Sequence, residues 1–142
     1  QDPRNLGACL RCANAAGANY VVINKDGSAP INALVHKASA GAISSLKIFH
    51  VTNLARTIQE MQKRGIWVIG LDSNSQSTIY DVSLTDATAV VMGSEGKGIR
   101  RLIKERCDQI VTIPMSGNIE SLNVSVAAGI TLFEIKRQRE SS

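Results

Sequence analysis

Residues 88–106 of this chain read TAVVMGSEGKGIRRLIKER. The first part, Thr88–Met92, is apolar and short, which predicts a buried strand. A glycine-rich turn follows, and Gly98–Arg106 then has the composition of a helix. Parallel sheets are built from strands that pass through a turn into a helix. This stretch therefore predicts an α/β domain.

The rest of the chain repeats the alternation of short β-rich runs with helical stretches. It predicts a mostly parallel sheet with helices on both faces. The predicted strands are Tyr20–Asn24, Lys47–Val51, Ile66–Leu71, Thr88–Met92 and Gln109–Ile113. The predicted helices are Leu6–Ala16, Pro30–Ala40, Leu54–Arg64, Gly98–Arg106 and Ser121–Gln138.

Gly17, Gly41 and Gly65 stand where C-terminal helix caps are expected. The polar segment Asp72–Asp86 predicts a surface loop with room for one short strand.

Length and composition indicate one domain that spans residues 1–142. The chain is 44% hydrophobic and 20% charged, and its 16 Lys and Arg against 12 Asp and Glu give a net charge of +4. That excess favours polyanionic partners. The longest nearly apolar stretch, Val124–Phe133, is far shorter than the roughly 20 residues of a membrane-spanning helix. With no pattern of a secretory signal, we expect a cytoplasmic protein without a membrane partner.

Three cysteines do not suggest a disulfide framework. Cys9 and Cys12 form a C-x-x-C pair, but no second pair of Cys or His follows at the spacing of a zinc site. We therefore interpret both as small helix residues and expect no metal.

The first segment whose residues could bind a ligand or take part in a reaction runs from Asn5 to Arg11. Asn5 is predicted to cap the first helix, and the small residues Gly7 and Ala8 allow a backbone or a ligand to approach closely. Arg11 could hold a phosphate. An ordinary cap and a solvated arginine are the alternative interpretation.

The second segment is the glycine turn Gly93–Gly98. Its G-x-x-G-x-G spacing matches neither the dinucleotide motif nor the P-loop. Glu95 places a carboxylate within the turn, which would repel a pyrophosphate and suits a cationic or hydroxylated ligand. A plain strand-to-helix turn is the alternative.

The third segment leads from Ile113-Pro114-Met115 to Ser121 and Asn123 at the start of the last helix. Hydroxyl and amide groups cluster there beside the unpaired N–H groups of a helix start. Ordinary capping is again the alternative.

Together, the three segments resemble the motifs of the SpoU (TrmH-like) family of RNA ribose methyltransferases, in the SPOUT superfamily. The resemblance covers nearly the whole chain: N-x-G-A-x-x-R at Asn5–Arg11, G-x-E-G-x-G at Gly93–Gly98, and I-P-M…S-L-N-V-S-x-A from Ile113 to Ala127. It implies a deep C-terminal trefoil knot, which general topology rules would not suggest. It also implies S-adenosylmethionine as cofactor, RNA as substrate and a homodimer.

Within the family, the likeness is strongest to enzymes that methylate a guanosine ribose 2′-hydroxyl in large-subunit ribosomal RNA; a transfer RNA substrate is the alternative. The resemblance assigns catalytic roles to Asn5, Arg11, Glu95, Ser121 and Asn123. It assigns cofactor contacts to Met92, Gly93, Ile113, Met115, Leu122 and Asn123. It further implies a strand and a small RNA-binding domain upstream of the first residue.

Two other functions fit parts of the sequence. One is a catalytically silent RNA-binding relative, against which the intact Asn5, Arg11, Glu95 and Asn123 argue. The other is a dinucleotide-dependent oxidoreductase. The glycine spacing and the lack of an acidic residue at the end of a following strand argue against it.

Overall fold

All five predicted strands are present in the computed structural model, which describes residues 2–25, 31–94, 97–119 and 121–142. The strands are β1 Tyr20–Asn24, β2 Lys47–Val51, β3 Trp67–Leu71, β4 Thr88–Val91 and β5 Gln109–Val111. Every pairing between them is parallel. The predicted α/β class is therefore confirmed.

The strands form two sheets, whereas the sequence pattern suggested one. β1 pairs with β2, and β3 lies between β4 and β5. No pairing between described strands joins the two sheets. Each sheet has its own buried cluster. The first contains Leu10, Val35, Ala42 and Leu46, and the second contains Ile69, Ile79, Leu84, Val111 and Ile135.

The five predicted helices are also present, with shifted ends. They are α1 Pro3–Ala15, α2 Ala33–Ser39, α3 Leu54–Lys63, α4 Arg101–Arg106 and α5 Val124–Ser141; a 3₁₀ helix, Ala42–Ser45, was not predicted. The prediction that Asn5 caps α1 was wrong. The N-cap is Asp2, whose carboxylate accepts a hydrogen bond from the Arg4 amide at 2.9 Å. Pro3 fits the first turn, where no partner for its nitrogen is needed.

The three glycines predicted to follow helices as C-terminal caps all have a left-handed backbone. Gly17 and Gly65 follow α1 and α3 with φ of +91° and +82°. Gly41, with φ of +83°, stands in the same position after α2, directly behind the left-handed cap residue Ala40, whose φ is 54°. Among the described helices, none is long and apolar enough to cross a membrane.

Helix α1 packs closely against both α2 and α5. A Cβ at Gly7 would lie 2.5 Å from Ala38 Cβ and 2.9 Å from the Val35 carbonyl oxygen. On α5, a Cβ at Gly129 would lie 3.3 Å from Cys12 Sγ. The small residues of the first segment thus serve helix packing, and α1 carries Asn5 to the start of α5.

The segment between β3 and β4 is the irregular loop that its composition predicts. Its single described strand-like pairing is a bridge between Thr78 and Thr112. Gln138 of α5 anchors it, since its side chain accepts from the Leu84 amide at 2.8 Å and donates to the Val82 carbonyl at 3.1 Å.

Candidate active site

Asn5 and Asn123 meet although they lie 118 residues apart. Asn123 Nδ2 donates to Asn5 Oδ1 at 3.0 Å. Asn123 Oδ1 accepts from the amide and the hydroxyl of Ser125, at 2.9 and 2.5 Å, and so caps α5. Because both halves of the amide are engaged, its orientation is fixed. The first and third segments thus form one polar cluster.

Arg11 lies on another face of α1. It lies six positions after Asn5, which places the two side chains about 120° apart around the helix and about 9 Å apart along it. Arg11 is exposed. Among the described residues, no hydrogen bond or ion pair of its side chain is seen. Its guanidinium is available to an external anion, but within one chain it does not contact the Asn5–Asn123 pair.

The glycine turn folds tightly on itself. Gly98 N donates to the Ser94 carbonyl at 2.9 Å, and Ser94 N donates to the Gly98 carbonyl at 3.1 Å. A Cβ at Gly93 would collide with the backbone of Gly98, and Gly98 itself has φ of +68°. Both glycines are therefore required by the turn. The turn also explains why α4 begins at Arg101 and not at Gly98. Glu95 lies outside the described residues.

Asp72 is a residue of this region that the sequence analysis did not single out. It directly follows β3, and its Oδ2 lies 3.4 Å from Lys104 Nζ. A Cβ at Gly98 would lie 3.4 Å from the same oxygen. Asp72 therefore lies beneath the turn and links it to α4. The available signal was an acidic residue at the carboxyl end of a central strand.

The cofactor contacts expected from the sequence lie mostly at one edge. Met92 and Gly93 follow β4, and Ile113 follows β5 after one intervening residue. Because both strands run parallel to β3, their carboxyl ends share an edge. Outside the strands, no backbone–backbone hydrogen bond joins Gly93, Ile113 or Leu122 to another described residue, and the Ile113 carbonyl accepts from the Thr112 hydroxyl at 3.4 Å. The amides of these three residues can therefore bind a ligand.

The remaining residues of the third segment are more open. Met115 is 38% exposed, Ser121 is exposed, and Leu122 is half-buried. No hydrogen bond within the described residues involves the Ser121 side chain. Ser121 precedes Asn123 by two residues in the sequence, and no described hydrogen bond connects its side chain to Asn5.

The C-x-x-C pair lies on α1. Burial, with a smaller contribution from Cys12, raises the pKa of Cys9 to about 11. Cys9 is therefore a neutral thiol at physiological pH, and the thiolate that metals and disulfide exchange require is disfavoured.

A family model described as the SpoU rRNA Methylase family matches residues 1–133. Two similar curated proteins are both called 23S rRNA (guanosine-2′-O-)-methyltransferase RlmB. The one from Xanthomonas campestris pv. campestris is 55% identical over 98% of this chain and 56% of its own length. The one from Escherichia coli K12 is 51% identical over 97% of this chain and 57% of its own length. The chain thus spans little more than half the length of these relatives.

Solved structures show the same fold. The SpoU methyltransferase AviRb from Streptomyces viridochromogenes, in complex with AdoMet, has a TM-score of 0.93 and 28% identity over 100% of this chain and 58% of its own. The A. aeolicus TrmH/SpoU tRNA modifying enzyme has a TM-score of 0.90 and 32% identity over 99% of this chain and 72% of its own. Its three segments, its fold and these matches agree, and the chain therefore belongs to the SpoU rRNA methylase family.

Proposed function

We propose that this chain transfers a methyl group from S-adenosylmethionine to the 2′-hydroxyl of a guanosine in large-subunit ribosomal RNA. The observation that carries the proposal is the contact between Asn5 and Asn123, which joins two of the three family motifs into one polar cluster. The names of the similar curated proteins support the substrate. Because ribosomal RNA is cytoplasmic in bacteria, we assign the protein to the cytoplasm.

The edge formed by Gly93 and Ile113 suits the cofactor. The amides of Gly93 and Ile113, which lack other described partners, can hydrogen-bond an adenine edge. We assign Leu122, Met92 and Met115 as its apolar neighbours from the family resemblance. When bound, S-adenosylmethionine supplies a methyl group on a sulfonium, whose carbon–sulfur bond breaks as the ribose oxygen bonds to the methyl carbon. No metal is needed for this reaction.

The chain's own residues then position the 2′-hydroxyl and assist the loss of its proton. Asn5 and Asn123 orient the ribose, with Glu95 and Ser121 around the target nucleotide. Arg11 holds a phosphate or stabilises the forming alkoxide. A direct role for Arg11 as base is the alternative, and it demands a very unusual environment, because a guanidinium holds its proton far more tightly than a typical general base does. Alignment of the two reacting atoms can supply roughly 7–11 kcal/mol of the barrier.

The assembly that we propose is a knotted homodimer. The knot follows from the family resemblance. The dimer is supported by Val126 and Phe133 of α5, which are 50% and 45% exposed and, seven residues apart, lie on one face of the helix. A monomer in light scattering at tens of micromolar would contradict the dimer.

We also propose that a strand and a small RNA-binding domain precede Gln1. Among the described strands, β1 pairs with β2 alone and β4 with β3 alone. One parallel strand between β1 and β4 would join the two sheets into one. If so, a longer form with the upstream residues should unfold at higher temperature and methylate ribosomal RNA faster than the present chain.

The function is tested by calorimetry and by mapping. The folded chain should bind S-adenosylmethionine with micromolar affinity in the presence of a chelator and should not bind NAD. Ribosomal and transfer RNA from cells with and without the gene should then differ at a 2′-O-methyl site in large-subunit ribosomal RNA. NAD binding without S-adenosylmethionine binding would refute the proposal, and a difference confined to transfer RNA would correct the substrate.

A further inference from the structure

A second concave site lies at the carboxyl ends of β1 and β2. Its volume is about 470 Å³, and its polar lining includes Lys25, His50, Asn53, Arg56, Thr57 and Glu60. We call it the Lys25 cavity. Lys25 N donates to the Val51 carbonyl at 2.7 Å, which fixes the end of β1 against the end of β2. The carboxyl ends of parallel strands are where open α/β sheets bind ligands.

The cavity carries unneutralised positive charge. Within the described residues, no hydrogen bond or ion pair involves the side chains of Lys25, His50 or Arg56. The one carboxylate among its described lining residues, Glu60, lies 3.6 Å from Lys63 Nζ, so part of its charge is offset from outside the cavity. The lining therefore favours an anion.

The position of Arg56 is costly for the helix that carries it. Asn53 caps α3 by accepting from the Arg56 amide at 3.1 Å, so Arg56 lies in the first turn. The positive end of the helix dipole disfavours a cation there, and the first turn of α3 has no acidic residue to compensate. A bound anion would relieve this repulsion.

The cavity faces the same end of the fold as the start of α1. A short connection joins α1 to β1, and Leu10 of α1 and Val21 of β1 belong to one apolar cluster, so α1 runs back along the sheet. The start of α1, which carries Asn5, therefore lies towards the end at which β1 leads into Lys25. An RNA strand whose ribose reaches Asn5 can extend its backbone along this edge.

We propose that the Lys25 cavity binds a backbone phosphate of the RNA substrate, through Lys25 and Arg56, at a nucleotide away from the methylated one. The inference rests on the proposed function, since it assumes an RNA substrate. It adds a second anchoring point that none of the three family motifs contains.

The test compares two variants of α3. Arg56→Gln removes the cation at the cavity, and Arg64→Gln removes an exposed cation at the other end of the same helix. A 23S ribosomal RNA transcript is the probe. Arg56→Gln should raise Kd about tenfold at low salt and lower the slope of log Kd against log salt concentration by about 0.7 to 0.9. Arg64→Gln should change neither quantity appreciably.

Two controls separate the possible outcomes. Arg56→Gln should keep or slightly raise Tm, because it relieves the helix dipole, and it should leave the affinity for S-adenosylmethionine unchanged. Equal RNA binding by the two variants, or no RNA binding by the unaltered chain that binds S-adenosylmethionine, overturns the cavity proposal. Loss of S-adenosylmethionine binding in the unaltered chain would instead refute the proposed function. Inorganic phosphate binding that is lost in Arg56→Gln while RNA binding stays unchanged would show a free-phosphate site and would also overturn the proposal.

Discussion

Replacing Gly7 with alanine has two opposite effects on stability: helix propensity favours the alanine, and the packing of α1 against α2 disfavours it. In an isolated helix the change stabilises by about 1 kcal/mol. In this fold the new methyl group would lie 2.5 Å from Ala38 Cβ and 2.9 Å from the Val35 carbonyl oxygen. Both atoms belong to the rigid part of α2 and cannot rotate away. Helix α1 must therefore move by about 1 Å, and overpacking of this kind costs typically 1–3 kcal/mol.

The cost of overpacking should exceed the gain in helix propensity. We expect Gly7→Ala to lower the free energy of unfolding by up to about 2 kcal/mol and Tm by up to about 6 °C for a domain of this size. The movement would also draw Asn5 away from Asn123, so methyl transfer should fall more than the affinity for S-adenosylmethionine. Urea unfolding followed by circular dichroism gives the first quantity, and single-turnover methylation gives the second.

Gly129→Ala is the matched control. It makes the same change in the interior of α5, but the nearest atom to the new methyl group is Cys12 Sγ at 3.3 Å, the end of a side chain that can rotate. We expect Tm to rise or to stay within about 3 °C. A Tm for Gly7→Ala that rises as much as that of Gly129→Ala would refute the packing argument.

Three further predictions follow from the site and the last helix. Asn123→Asp keeps the cap of α5 but replaces the donor to Asn5 by an acceptor, so methylation should fall with Tm nearly unchanged, whereas Asn123→Ala should also lose about 1 kcal/mol of stability in urea unfolding; equal Tm values would contradict the capping role. The hydrogen bonds from Arg137, at 2.7 and 2.9 Å, hold the pKa of the buried Glu134 below its usual value. This stabilisation is complete above the unfolded pKa and is lost as the pH falls through the folded one, so the Tm difference between wild type and Glu134→Gln should shrink from pH 7 to pH 3; a constant difference would refute it. Arg11→Ala should lower turnover by about 10²–10⁴ with cofactor affinity within a few-fold, and rescue by Arg11→Lys would favour simple electrostatics over a bidentate grip on phosphate; lost folding or lost cofactor binding would make its role structural.

The pattern of the sequence determined the α/β class and the five strands. Runs such as Tyr20–Asn24 have one dominant local preference, so their conformation follows without tertiary information. The three motifs likewise identified the family, because their residue types and spacing are read directly from the chain. The residues at which helices begin and end were harder to predict from the sequence. Asp2 and Asn5 are both good caps, and Asp2 prevails because Pro3 starts the helix behind it.

Only the tertiary structure decided which polar residues meet. Asn5 and Asn123 are 118 positions apart, and nothing local to either residue indicates that α1 and α5 bring their starts together. The role of Gly7 is similar, since the sequence allowed either a ligand or a backbone to approach it and the fold places α2 there. The charge of the Lys25 cavity depends on two strand ends and a helix start. Sequence patterns report the local conformation that each segment prefers. A site depends on distances between segments, and only their packing sets those distances.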